Sequence, residues 1–168
     1  TTTDLFLPLL TWWAIERHTS EAGKQLADLT ATRGTLSDTQ ILPRLLRRLV
    51  ADGTAERDDD GAALLAATHT PEQLDALVEA VALGLADREG RASSDMKGNL
   101  YDQFSEAPTE GETVKATVAS ALSPLLQHAI VERWEESPDH PARLALAARI
   151  MHGPAVMRAN ALVFNAAS

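Results

Sequence analysis

Thr70-Pro71-Glu72-Gln73 opens the stretch that decides the fold, and Leu74, Leu77, Val78, Val81 and Leu85 follow it. Thr70 is a helix N-cap, Pro71 suits the first helical position because its missing N–H would have no intrahelical partner, and Gln73 can close a capping box onto Thr70. The apolar residues then recur at three- and four-residue intervals, one stripe of a helix. Gly90 is the expected stop, as a left-handed cap.

The same grammar repeats along the chain. Pro8 starts a helix bearing Leu9, Trp12, Trp13 and Glu16, and Ser20 caps one carrying Ala22, Leu26 and Leu29. Leu42, Leu45, Leu46 and Leu49 form a third stripe with Arg44, Arg47 and Arg48 opposite; Pro43 either opens that helix or kinks it. Asp58-Asp59-Asp60-Gly61 reads as a solvated turn and helix start, since carboxylates suit a helix N-terminus. Ser123-Pro124 caps a fresh helix or kinks an old one, His140-Pro141 opens another, and Gly153-Pro154 opens the last. No two-residue alternation interrupts this pattern. It predicts an all-α chain of about seven or eight helices, arranged as antiparallel pairs in an α-solenoid (HEAT-like) or as an irregular helical bundle. Residues 91–111 read as a long connection and a possible internal break in a single domain spanning 1–168.

The 168 residues are 45% hydrophobic with net charge −9 and no cysteine. That apolar fraction is too high for a disordered acidic tail. The absence of cysteine removes disulfides, thiolate zinc sites, iron–sulfur clusters and covalent c-type haem attachment within this chain. The acidic balance argues against non-specific nucleic-acid binding, which needs Lys and Arg to displace counterions. No run of about 18 apolar residues exists to span a membrane. The Thr1 start and the apolar last helix, with Ala155, Val156, Leu162 and Phe164, suggest a fragment of a larger chain.

Little in the sequence carries chemistry. No Gly-rich phosphate loop or nucleophile elbow is present, and His18, His69, His128, His140 and His152 lack ligand spacing. Catalytic, cofactor and metal residues are therefore assigned to none. Trp12 and Trp13, adjacent on a helix and so about 100° apart, are expected to pack, at least one of them buried. The candidates for an interaction surface or a pocket are Trp12, Trp13, Arg44, Arg47, Arg48 and Trp134.

Asp4-Leu5-Phe6-Leu7-Pro8-Leu9-Leu10-Thr11-Trp12-Trp13-Ala14-Ile15-Glu16 is similar to a segment of planctomycete-type multidomain haem-binding, membrane-bound-dehydrogenase-like proteins. Their pattern there is Asp, two variable residues, Ile or Leu, Pro-Leu-Leu, one more residue, then Trp-Trp-Ala-Ile/Leu-Glu. Ile41-Leu42-Pro43-Arg44-Leu45-Leu46-Arg47-Arg48-Leu49, running on to Gly53-Thr54, resembles the next part, and the similarity covers roughly the first 90 residues. In that family a dehydrogenase-like β-propeller precedes a HEAT-like helical region, and a c-type cytochrome domain follows. The resemblance implies that this chain is the helical middle, extracytoplasmic, with haem c only in a separate domain. It implies a non-catalytic scaffold whose partners are neighbouring domains of the parent chain or another protein. Docking is expected near Leu5–Leu9 and Val156–Phe164, because apolar side chains there are costly to leave in water, at roughly 25 cal/mol per Å². The competing expectation is an independent ligand-binding or regulatory domain, with an apolar pocket lined by Trp12, Trp13 or Trp134.

Overall fold

The computed structural model describes Trp13, Ala14, Arg17 and residues 41–67, 70–99 and 121–166, without the side chains of 93–99 and 165–166. The described residues are helical and contain no strand. Among the described residues six helices can be bounded, in order: α1 (Leu42–Asp52), α2 (Ala55–Ala66), α3 (Pro71–Asn99), α4 (Pro124–Glu135), α5 (Pro141–Arg149) and α6 (Gly153–Ala166).

Local chemistry sets most of the starts. The capping box at α3 is complete: Thr70 N–H donates to Gln73 Oε1 at 2.8 Å, and Gln73 N–H to Thr70 Oγ1 at 3.3 Å. Ser123 Oγ accepts from Leu126 N–H at 3.2 Å, so Ser123-Pro124 caps a new helix. Pro43 lies in the first turn of α1 and opens it. Gly53 ends α1 at φ 78°, the left-handed conformation glycine adopts without strain.

Two boundaries differ from the sequence reading. The aspartate run is no solvated turn: Thr54 caps α2, its Oγ1 accepting from Arg57 N–H at 3.3 Å, and Asp58 to Gly61 lie inside the helix. A Thr directly after the Gly53 break is an earlier and stronger start than the aspartates. Nor does Gly90 stop α3, which continues through 91–99; residues 100–111 of the expected connection lie outside the described residues. A mid-helix glycine costs only about 1 kcal/mol. Tertiary contacts hold the helix on both sides of Gly90: Arg88 and Glu89 are ion-paired, and Ala92 packs on the core.

The helices share one apolar core. α1 packs most extensively on α3, and α2 on α4; α1 also touches α2, α4 touches α5, and α3 makes a smaller contact with α5. Thus α1, α3 and α5 line one side, with α2 and α4 behind. α6 packs on α5. The α1–α3 contact depends on Gly84, where a Cβ would stand 2.8 Å from both Arg47 O and Val50 Cβ. Gly84→Ala should therefore lower the melting temperature. Overpacking typically costs about 1–3 kcal/mol, which outweighs the roughly 1 kcal/mol gained in helix propensity. A variant melting at or above the parent would show that α1 moves aside freely.

Candidate interaction face on α1, α3 and α5

The outward side of α3 is flanked by two open grooves. The larger, of about 560 Å³, lies between α3 and α5 and is lined by Asp75, Ala76, Val78, Glu79, Ala82, Ala142, Ala145, Leu146 and Arg149. The smaller, of about 320 Å³, lies between α1 and α3, against Pro43, Arg44, Arg47, Ala80 and Leu83. Ala76 and Glu79 belong to both, so the grooves adjoin across one turn of α3. Leu83 is 41% exposed on that ridge. Alanines dominate the larger groove because α3 and α5 approach across small side chains, leaving a shallow apolar trough with charge at its edges.

Most of those charges are already committed. Arg149 makes a two-point contact with Glu89, at 3.1 and 2.8 Å, and donates to Ala82 O at 2.9 Å. Arg47 does the same with Asp87, at 2.8 and 3.1 Å. Hydrogen bonding from Arg47 holds the Asp87 carboxyl below the usual carboxylate range, and raises Arg47 in turn. Both partners face water, so such a pair contributes at most about 1 kcal/mol. Asp75 Oδ1 lies 3.4 Å from His140 Nε2 and 3.5 Å from Arg143 Nη2. Glu79 and Arg44 have no ion-pair partner among the described residues, although they line the same groove.

Of the residues singled out from the sequence, Arg44 and Arg47 come together on this face. Arg48 points elsewhere, 3.4 Å from Asp52 one turn on. Neither Trp13 nor Trp134 lines either groove. Trp13 is 59% exposed, while Trp12, on which the expectation of one buried ring then falls, lies outside the described residues. Trp134 is buried, its Nε1–H donating to Pro138 O at 3.2 Å and its ring meeting His152 edge-on at 5.3 Å. His140 is the N-cap of α5, as its place before Pro141 implied, and His128 is solvent-facing beside Glu132. His18 and His69 lie outside the described residues. Among the described residues no three His, Asp or Glu side chains gather in a metal-holding group.

The sequence reading missed a buried ion pair behind this face. Asp58 is fully buried, and both its oxygens accept from Arg88 Nη1, at 2.9 and 3.2 Å. Ser123 N–H donates to Asp58 Oδ2 at 3.0 Å, and Arg88 Nη2 donates to Gly53 O at 3.2 Å. One carboxylate thus ties α2, α3 and the start of α4 together. Burial pushes its pKa above the ordinary aspartate value, opposed by the Ser123 N–H and the Arg88 guanidinium. A signal was present: Asp58 shares a helical stripe with Ala62 and Leu65, and Arg88 extends the stripe of Val81 and Leu85. A charge on each of two apolar stripes points to a buried pair.

Compared with known proteins, the chain matches no family model, no curated sequence and no solved structure.

Proposed function

We propose that the chain is a non-catalytic helical scaffold and interaction module, a HEAT-like spacer between a dehydrogenase-like propeller and a c-type cytochrome domain of an extracytoplasmic redox protein. The observation that carries the docking role is α6. It is apolar almost all round, with Arg158 its only charged residue, yet it lies against α5 and leaves Met157 68% and Val163 69% exposed. A helix apolar on every side is ordinarily covered on every side, so this surface is one for another protein surface to cover. The open grooves beside α3 fit the same reading better than a ligand pocket, since neither Trp13 nor Trp134 lines them. The redox context rests on the similarity of residues 4–16 and 41–54 to the family named above. None of its haem-attachment residues has a counterpart here, because the chain has no cysteine.

Titration of the purified chain with haem tests the non-catalytic role. The expected result is no saturable Soret shift. A one-to-one band lost on mutating a single histidine would overturn it and make the domain a haem protein in its own right. Reading the gene on both sides of this segment tests the context: an all-β region upstream and Cys-x-x-Cys-His downstream are expected, and their absence removes the redox assignment.

A further inference from the structure

We propose that the Asp58–Arg88 pair is a register pin: it selects one mutual arrangement of α1, α2, α3 and α4 out of several that the apolar core alone would accept. Four segments meet at it. Asp58, on α2, accepts from Arg88 of α3 at 2.9 and 3.2 Å and from the Ser123 N–H, at the N-cap of α4, at 3.0 Å. Arg88 in turn donates to Gly53 O, at the C-cap of α1, at 3.2 Å. The fit there is close, since a Cβ on Gly53 would stand 3.0 Å from Arg88 Nε. The Asp58 carboxylate also faces the start of α4, the end of a helix that favours negative charge. No buried nitrogen or oxygen of either side chain lacks a partner. Every one of those bonds has a direction, and all are made together only when the four segments sit where they do.

Stability does not account for such a junction. Apolar residues of similar volume often hold a fold as firmly as a buried ion pair, because desolvation offsets most of the attraction. Direction is what they lack. The core around the pin is mostly leucine, with valine and alanine, and Trp134 is its only aromatic among the described residues. Cores of that kind fill space without fixing one arrangement, and they lose uniqueness before they lose stability. The pin closes that freedom. A slip of α4 by one residue, about 1.5 Å of rise with a turn of about 100°, takes the Ser123 N–H away from Asp58 and leaves a buried carboxylate short of a donor, which is costly. The bond from Arg88 to Gly53 O likewise holds α1 against α3, and with them the face bearing Arg44, Glu79 and Leu83, in one shape.

Proton–nitrogen NMR spectra and thermal melts of the full chain test this. Asp58→Val combined with Arg88→Met removes the directed bonds and should melt near the parent. Its Ile130 N–H and Trp134 indole N–H signals should nonetheless split or broaden. Both groups lie on α4 away from the pin, Trp134 roughly 16 Å along the helix from Ser123 at about 1.5 Å per residue, so loss of a merely local contact would leave them single. Asp58→Leu combined with Arg88→Leu repeats the experiment with the volume distributed differently, in case the first pair fits badly. Leu126→Met repacks the buried side of α4 with the pin intact, and should keep single signals. A folded apolar pair with single, sharp α4 signals overturns the proposal, since the core then selects the arrangement unaided. Apolar pairs that both fail to fold overturn it as well, because the ion pair then supplies stability that apolar residues do not replace. Splitting in Leu126→Met shows that α4 shifts on any repacking, and overturns it too.

Discussion

At neutral pH, Arg88→Met should lower the unfolding free energy by about 3–5 kcal/mol, as for other buried pairs broken on one side. The substitution removes both guanidinium contacts to Asp58 and the one to Gly53 O, leaving a fully buried carboxylate held by the Ser123 N–H alone. The deficit should depend on pH in a set direction. Burial already holds Asp58 above its unfolded pKa, and loss of the arginine pushes it further up. The folded state then binds the proton more tightly than the unfolded state, so falling pH favours folding between the raised folded value and the unfolded value near ~3.9. Denaturant melts should therefore show the gap to the parent narrowing on acidification through that window. Asp58→Asn leaves the opposite fault. The substitution removes the carboxylate whose protonation narrows the gap in the other variant, so its deficit should persist on acidification. Replacing both by apolar residues of similar volume should recover most of the loss. Equal, pH-independent deficits in the two single variants would show that Asp58 and Arg88 are not coupled as described.

Trp134→Ala should cost a similar amount, about 3–5 kcal/mol, the range for removing a large aromatic from a core. The ring sits where α4 ends, with Leu126, Ala129 and Ile130 on the same buried side of α4 and His152, from the α5–α6 connection, edge-on to it. Its Nε1–H also ties the turn after α4 through Pro138 O. Trp134→Phe keeps most of the bulk and removes only that donor, so the expected loss adds about 1 kcal/mol to a smaller packing cost. Chemical denaturation followed by circular dichroism distinguishes the two. A Trp134→Ala chain as stable as the parent would mean that α5 and α6 are not cooperative with the rest of the core.

What the sequence by itself determined, among the described residues, is their helical character and most of the helix starts. Thr70 with Gln73, Ser123 before Pro124, and His140 before Pro141 all act over three or four residues, and the Leu42–Leu49 and Leu74–Leu85 stripes name the buried faces. The exposed apolar side chains of the last helix were legible for the same reason, since Met157, Leu162 and Val163 spread over more sides than one neighbour can bury. What only the tertiary structure decided depends on residues far apart. Asp58 looked like a turn residue because its partner lies 30 positions away, and Ser123, which completes its coordination, lies 65 away. Gly90 looked like a stop because the contacts that carry α3 past it come from Asp58 and Arg149, on other helices. The α3–α5 groove belongs to neither helix, since it is the gap their alanines leave when packed. Hydrogen bonds that close within a turn are written in local sequence, whereas buried charge pairs and grooves exist only once helix packing has brought distant segments within a few ångströms.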